Sequence, residues 1–205
     1  MPTPNIIQHL SQDPMLARII PDIELPTINP NPDVFNALVK SVVSQQLSTK
    51  AAATIYQRFL LLFEQGHATP QEILALDPEV LRATGFSRQK SSYVAEIARF
   101  FSEGATAYDW HSMPDQDIVH ELTQIKGIGV WTVQMILIFH LGRPDVFPID
   151  DLGIQQSMAT LYQLPTDKRD LKAQMQIRAA QWQPWRSYAS RYLWKWRDNL
   201  STVSK

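Results

Sequence analysis

The chain has no cysteine among its 205 residues. This absence excludes a disulfide framework, a thiol nucleophile, and any zinc site or iron–sulfur cluster held by cysteine. An apolar run near the roughly 18 residues of a membrane helix is also missing, and residues 1–20 do not follow a signal-peptide pattern. We therefore expect an intracellular protein without membrane contacts, in the cytoplasm or nucleoid of a bacterium or in a eukaryotic nucleus.

An excess of charge of either sign is missing too, because 19 basic residues are balanced by 20 acidic ones. With 44% hydrophobic and 19% charged residues, the composition is that of a globular protein. A nucleic-acid partner must therefore be argued from local features and not from net charge. The five histidines show no ligand spacing, so we expect no catalytic metal and no cofactor for catalysis.

Helical periodicity dominates the sequence. Between residues 34 and 46, apolar side chains recur at the spacing of one buried helix face: Phe35, Leu38, Val39, Val42 and Val43. No alternating pattern typical of strands is found, so the predicted fold class is all-α. Further helices are expected from Ser48 toward Phe63, after Thr69-Pro70, Asp77-Pro78 and Ser87, and over about 115–124, 130–141, 151–162, 168–182 and 184–198.

A Gly-Ile-Gly turn lies between two apolar helical segments at residues 126–129. Glycine tolerates positive φ and a close approach of another backbone, and Ile125 and Ile128 are expected to anchor the turn in the core. The amides that begin the next helix near Val130 point outward, and with the helix dipole they can bind a phosphate without lysines. The alternative is a plain connection, in which glycine only interrupts the two helices and binds nothing.

Four segments together resemble the helix-hairpin-helix DNA glycosylases, and most closely their alkylpurine branch, the 3-methyladenine DNA glycosylase II family. One is the hairpin pattern Leu122-x-x-Ile125-x-Gly127-Ile128-Gly129-x-x-Thr132, followed by a helix, a proline-containing loop and Asp151. The others are residues 42–48 (VVSQQLS), Gly85-Phe86-Ser87 with Lys90, and residues 182–189 (WQPWRSYA). The resemblance covers about residues 30–198. It indicates the compact form, without the β-rich N-terminal domain of longer bacterial members.

The resemblance implies that Asp151 is the catalytic residue. A carboxylate can stabilise the positive charge that develops on the sugar as an N-glycosidic bond breaks, or it can orient or deprotonate a water. From the residues alone Asp150 fits equally well, and an aspartate pair at a helix start is most simply explained by capping. The matching implies that Asp150 is only a neighbour with a capping role.

Trp131 occupies the position at which bifunctional relatives such as endonuclease III carry a lysine that forms a Schiff base. Lys126 lies before the glycines, in the wrong place for that chemistry. The resemblance therefore implies a monofunctional glycosylase without lyase activity, whose product is an abasic site in an intact backbone.

The same resemblance implies a pocket for a base flipped out of the duplex. Trp131 and Trp194 match pocket tryptophans, and electron-rich rings attract cationic alkylpurines such as 3-methyladenine and 7-methylguanine. Lys195 replaces a pocket tyrosine, so the wall beside Trp194 differs from the family pattern. Packing in the core is the alternative role for a tryptophan here.

Residues 45–48, called the wedge turn below, match the segment that fills the gap left by the flipped base. Gln46 is at the plug position, flanked by Gln45 and Leu47, and an ordinary polar turn is the alternative. Lys90, like Lys50 and Arg88, is a candidate phosphate contact, with solvated surface as the default interpretation.

Other DNA contacts that the resemblance implies are Gly127, Gly129, Thr132, Arg186 and Ser187. A structural role at a helix start is the alternative for Arg186. The family also suggests a sodium or potassium ion that bridges to a DNA phosphate and is held by the backbone carbonyls of Thr123, Ile125 and Ile128.

We expect one glycosylase domain over residues 1–205, with the helix-hairpin-helix motif at about 115–141. Two helical lobes, about 30–110 plus the N-terminal segment and about 111–198, are expected to flank a cleft for double-stranded DNA. The predicted function is excision of alkylated purines by a monomer in base excision repair. A non-catalytic DNA-binding module, or a glycosylase for oxidised or deaminated purines, is the alternative.

Overall fold

The computed structural model describes residues 1–165 and 167–203, and all regular structure within them is helical. The predicted all-α class is confirmed. The α-helices are α1 (Pro4–Leu10), α2 (Pro14–Ile19), α3 (Val34–Ser44), α4 (Thr49–Leu60), α5 (Pro70–Ala75), α6 (Pro78–Ala83), α7 (Arg88–Ser102), α8 (Asp115–Thr123), α9 (Val130–Met135), α10 (Leu152–Tyr162), α11 (Lys168–Ala180) and α12 (Arg186–Val203). Short 3-10 helices occupy Ile20–Asp22 and Ala105–Ala107, and a π-helix follows α9 at Ile136–His140.

Helix starts follow the capping signals of the sequence. Ser48 accepts a hydrogen bond from the amide of Ala51 at the start of α4, and Ser87 caps α7 in the same way. At α5 the side chain of Thr69 accepts from the amide of Glu72, whose carboxylate accepts from the amide of Thr69 at 2.9 Å. This reciprocal pair is the capping box that the sequence predicts.

The chain forms two compact units. The hairpin unit comprises residues 31–136, and the carboxylate unit comprises residues 1–30 together with the described residues from 137 onward. Among the described residues, no helix has the length and apolar character that a membrane crossing needs.

The core of the hairpin unit forms on the predicted face of α3. The valines of this helix, with Phe35 and Leu38, are all at least 94% buried. Phe59 of α4 lies in the same core, with its ring centroid 5.0 Å from that of Phe63 and 5.4 Å from that of Phe86. The periodicity of α3 therefore identifies its buried face correctly.

The N-terminal segment lies in the carboxylate unit, so its predicted place beside residues 30–110 is wrong. Ile6, Leu10 and Leu16 are buried in one cluster with Ile154 and Trp182. Burial of these apolar side chains explains the placement, because α1 and α2 are too short to be stable alone.

A buried carboxylate also fastens this segment. Asp13 caps α2 by accepting from the amides of Met15 and Leu16, and its other oxygen accepts from the Tyr162 hydroxyl at 2.8 Å and the Trp182 indole at 2.9 Å. Burial, with the nearby Asp13 charge, raises the pKa of Tyr162 above its usual range. The hydroxyl is therefore a hydrogen-bond donor at any ordinary pH.

The predicted lobe boundary near residue 110 is wrong as well, because residues 111–136 belong to the hairpin unit. The physical reason is packing between the Gly-Ile-Gly turn and α7. A Cβ atom built on Gly127 would lie 2.4 Å from the ring of Tyr93, so the turn backbone rests directly on that ring.

Candidate functional site

The Gly-Ile-Gly turn joins α8 to α9 as the sequence predicts. The amide of Ile128 donates to the carbonyl of Ile125 at 3.0 Å, and both isoleucine side chains are buried. Gly127 has φ +93° and lies against Tyr93, so both its backbone conformation and its surroundings require glycine. Gly129 precedes α9, is exposed, and has open space around its Cα. The turn thus presents backbone to solvent while its apolar side chains hold it in the core.

The first turn of α9 carries two exposed side chains and one buried one. Trp131 is 44% exposed and Val130 is 51% exposed, whereas Thr132 is only 5% exposed. The DNA contact of Thr132 stays a prediction, and its buried side chain leaves only the backbone to make such a contact. Only its backbone amide, in the first helical turn, remains suited to a phosphate.

The wedge turn connects α3 to α4, as predicted. Gln46 is exposed and has φ +58°, a left-handed conformation that is uncommon for a residue with a side chain. Leu47, at 38% exposure, is one of the more exposed large apolar residues of the hairpin unit. The turn therefore presents an amide and an apolar side chain side by side.

Lys90 lies under this turn and not on open surface. Its ammonium donates to the carbonyls of Val43 and Gln45, at 2.7 and 2.8 Å. Its expected role as a phosphate contact is corrected accordingly, because two of its three hydrogens are already used by backbone oxygens.

Asp151 lies at the N-cap of α10, in the carboxylate unit. Its Oδ1 atom accepts two hydrogen bonds, each at 2.8 Å, from the amide of Ile154 and from the indole Nε1 of Trp194. The partial positive charge at the N-terminus of α10 adds to the electrostatic environment of a carboxylate there. One oxygen is thereby fixed in place by two donors from different helices.

Asp150 does not cap α10 as expected. It is exposed and pairs with Lys172 of α11. The two aspartates are thus distinguished by their environments: one forms a surface ion pair, and the other is half-buried with hydrogen bonds to backbone and indole.

Trp194 brings the predicted pocket side of α12 next to Asp151. Its ring lies 5.5 Å from that of Phe139, measured between centroids, and both rings border a pocket of about 160 Å³. Lys195 borders the same pocket, in agreement with its predicted position beside Trp194. Trp131 belongs to the hairpin unit.

Gly153 permits this arrangement. A Cβ at this position would lie 3.0 Å from both Asp151 Oδ1 and Trp194 Cδ1, and 2.7 Å from Arg197 Nη1. Sequence reasoning did not identify Gly153 or Phe139, because neither belongs to a recognisable motif. A glycine two residues after a predicted catalytic aspartate is the signal that was available for the first.

Arg186 and Ser187 hold the loop that leads to the aspartates. Arg186 donates to Asp145 Oδ1 at 2.7 Å through Nε and to Oδ2 at 2.9 Å through Nη2. Ser187 is 3% exposed, and its hydroxyl accepts from the amide of Val146 at 2.9 Å. The DNA contacts of Arg186 and Ser187 stay predictions, and the observed contacts of both side chains are with the loop before Asp151.

Comparison with known proteins identifies the family of this chain. The family described as "HhH-GPD superfamily base excision DNA repair protein" matches residues 39–187. The chain is 40% identical over 164 residues to DNA-3-methyladenine glycosylase 1 of Schizosaccharomyces pombe, covering 78% of this chain and 71% of that protein. It is 37% identical over 169 residues to the putative DNA-3-methyladenine glycosylase YfjP of Bacillus subtilis, covering 79% of this chain and 58% of that protein. The chain thus spans little more than half the length of the bacterial relative.

Solved structures give the same relationship. The S. pombe 3-methyladenine DNA glycosylase Mag1, in complex with abasic DNA, superposes with a TM-score of 0.74 at 34% identity over 93% of this chain and 95% of that one. The DNA-3-methyladenine glycosidase of Bacillus halodurans gives a TM-score of 0.81 at 32% identity over 98% and 92%. Both neighbours are covered almost completely by this chain.

Proposed function

Because the chain belongs to the HhH-GPD superfamily of base excision DNA repair proteins, we propose that it is a monofunctional DNA glycosylase for alkylated purines. Its substrate would be double-stranded DNA that contains bases of the 3-methyladenine or 7-methylguanine type. The observation that carries the catalytic part of this proposal is the fixed Asp151 carboxylate, held by α10 and by Trp194.

The reaction replaces one bond to the sugar by another. The bond between C1′ and the purine nitrogen breaks, and its electron pair leaves with the base, which becomes neutral if it was cationic. Water then forms the new bond to C1′ and loses a proton, so the product is an abasic site. Asp151 stabilises the positive charge on the sugar and orients or deprotonates the water.

The hydrogen bonds to Asp151 fit this role. Both donors bond to Oδ1, so the orientation of the carboxylate is set before any substrate arrives. A preorganised charge costs no reorganisation during the reaction, which is the main source of electrostatic catalysis. We assign stabilisation of the positive charge on the sugar to the whole Asp151 carboxylate and not to one of its oxygens.

Trp131 supports hydrolysis without strand cleavage. An amine would be needed at this position for a Schiff base, and an indole nitrogen is not a nucleophile of that kind. We further propose that Trp131 and Trp194 contact the flipped base. Attraction between an electron-rich ring and a cationic base contributes about 0.5–2 kcal/mol.

We assign DNA binding to the backbone at the start of α9 and to the wedge turn. The first amides of α9, with the exposed Gly129, would bind a phosphate, and Gln46 and Leu47 of the wedge turn would enter the base stack. Because the structure engages Arg186 with Asp145, we propose that Arg186 and Ser187 act by shaping the loop before Asp151.

A monovalent cation fits the end of α8. Thr123 is the last residue of α8, and the carbonyl of Ile125 accepts from the amide of Ile128 but has a second lone pair that could bind an ion. Neutral carbonyl oxygens suit sodium or potassium better than they suit divalent ions. Such an ion would supply positive charge for a phosphate next to the hairpin. Among the described residues no group of three acidic, histidine or cysteine side chains suits another metal.

The test is Asp151→Asn on a duplex with one 7-methylguanine. Asparagine keeps an oxygen for the two hydrogen bonds but removes the charge, so single-turnover release of the base should fall by about 100- to 1,000-fold. Asp150→Asn is the matched control, because that carboxylate forms only an exposed ion pair. After reaction with the wild-type protein, the DNA strand should break at the abasic site only when alkali is added.

Three results would contradict the proposal. A wild-type protein that binds the duplex without releasing 7-methylguanine would indicate a non-catalytic module or a different base. Full activity of Asp151→Asn would move the catalytic role, first to Asp150. Strand cleavage without alkali would contradict the monofunctional assignment.

A further inference from the structure

The N-terminal position of Lys90 in α7 disfavours the positive charge of its side chain. Lys90 is the third residue of α7, in the first turn after the N-cap Ser87. The N-terminus of a helix disfavours positive charge. The partial burial of Lys90 adds a cost, since desolvation lowers the pKa of the ammonium group. An interaction elsewhere must therefore offset both effects.

That interaction is with the end of α3. The last carbonyls of a helix lack amide partners within it, and an ammonium group is a strong donor to them. Lys90 Nζ reaches one such oxygen, on Val43 at 2.7 Å, and also the carbonyl of Gln45, the residue after α3, at 2.8 Å. The favourable dipole at the end of α3 thus compensates for the unfavourable one at the start of α7.

The residue after these carbonyls is Gln46, the proposed plug. Its φ of +58° is a conformation that a residue with a side chain keeps only when the surroundings hold it. Lys90 fixes the backbone immediately before it, at Gln45. Without this contact the wedge turn would have other conformations available, and the Gln46 side chain would lose its defined direction.

One helical turn further along α7, Tyr93 contacts the other proposed DNA-binding element. Its ring packs on Gly127, and its hydroxyl accepts a hydrogen bond from Gln89 at 2.7 Å. Residues three apart lie on one face of a helix. The same face of α7 therefore meets the wedge turn through Lys90 and the Gly-Ile-Gly turn through Tyr93.

We propose that Lys90 is a positioning residue for base flipping, which sets the wedge turn at a fixed place relative to the Gly-Ile-Gly turn through α7. This inference rests on the proposed glycosylase function. Lys90 contacts neither the sugar nor the base in this role, and it acts through Gln46. Its contribution is greatest when a base pair must be opened.

The experiment compares two duplexes with 7-methylguanine at a defined site. In one the base pairs with cytosine, and in the other it faces an abasic-site analogue, so no pair has to be broken. Lys90→Met should slow single-turnover excision about 10-fold in the paired duplex, which is the effect expected for loss of hydrogen bonds from a charged donor. In the unpaired duplex the loss should stay below about threefold, because unpaired bases flip at lower cost.

Further variants separate positioning from a general structural defect. Lys90→Arg keeps a charged donor and should recover most of the paired-duplex rate. In a Gln46→Ala background, Lys90→Met should cause little additional loss, since residues that act through one another are not additive. Lys168→Met is the matched control, because Lys168 is an exposed lysine in the first turn of α11. If Lys90→Met does not fold, Lys90→Gln gives the same comparison, as its amide is shorter than the lysine side chain and carries no charge.

The outcomes are distinguishable. Equal losses on both duplexes, or full additivity with Gln46→Ala, would overturn the positioning role. Wild-type rates for Lys90→Met on both duplexes would overturn it as well, while leaving the glycosylase function intact. A wild-type protein inactive on both duplexes would overturn the proposed function itself.

Discussion

The hydrogen bond from Trp194 to Asp151 is expected to contribute to the rate and not only to the fold. Trp194→Phe removes the indole N–H that donates to Oδ1 at 2.8 Å and keeps an aromatic ring next to Phe139. The carboxylate retains its bond from the amide of Ile154. The substitution therefore removes one donor that orients Oδ1 without removing the charge of the carboxylate.

The size of the effect follows from the kind of bond. A hydrogen bond to a charged group contributes about 1.5–3 kcal/mol. If all of it is needed in the transition state, its loss slows the chemical step by about 10- to 100-fold. The upper end applies if the whole hydrogen-bond energy is expressed in the transition state.

The assay is single-turnover release of 7-methylguanine at saturating enzyme, so that binding does not enter the rate. Affinity for a duplex with an abasic-site analogue should stay near that of the wild type. Trp185→Phe is the matched control, since Trp185 is also half-buried in the carboxylate unit and packs edge-on against Tyr188 at 6.0 Å. A Trp194→Phe rate within about twofold of wild type, well below the effect expected for this bond, would refute the reasoning. An equal loss in Trp185→Phe would do the same.

Two further predictions concern stability and activity separately. Gly153→Ala should slow excision about 10-fold, because the new Cβ would lie 3.0 Å from both Asp151 Oδ1 and Trp194 Cδ1 and displace them. Its melting temperature should change little, since the helix preference of alanine over glycine, up to about 1 kcal/mol, offsets part of the cost of this crowding. Asp13→Asn should lower the free energy of unfolding by about 2–4 kcal/mol in urea titrations, because one pair of buried donors would face an amide N–H₂ group.

Each has an outcome that contradicts it. For Gly153→Ala, an unchanged rate would mean that α10 and α12 adjust without moving the carboxylate. A parallel fall in rate and melting temperature would indicate a general packing defect. For Asp13→Asn the control is Asp22→Asn, an exposed aspartate of the same N-terminal segment. Equal small effects in the two variants would show that the buried carboxylate contributes little.

The sequence predicts the longer helices well because their signals are local. α3 shows its buried face through periodicity, and the caps of α4, α5 and α7 follow from single polar residues. By contrast α1 and α2 have only seven and six residues, too few for a periodic pattern. Their helical state depends on burial against residues more than 130 positions away, as the bonds from Asp13 to Tyr162 and Trp182 illustrate. Such packing is not visible in a local window.

The sequence offers residue types for a candidate site but does not specify their contacts. Position within a motif does not tell which way a side chain points: Thr132 and Ser187 match the family pattern, but both side chains are buried. The bond between Asp151 and Trp194 joins residues 43 positions apart. Its geometry depends on how α10 and α12 pack, which spacing cannot specify.

The nearly neutral charge of the chain gains a physical explanation from these contacts. Several cations that a sequence count would offer to DNA are already engaged within the protein. Lys90 and Arg191 donate to backbone carbonyls, the latter to that of Pro26, while Arg186 and Lys172 pair with aspartates. These four of the 19 basic groups add little to a phosphate-binding surface, whereas fixed dipoles such as the first amides of α9 would add positive charge that a count of lysine and arginine does not include. A protein that binds phosphates in this way needs no excess of lysine and arginine, because the positive ends of its backbone dipoles are set by the fold.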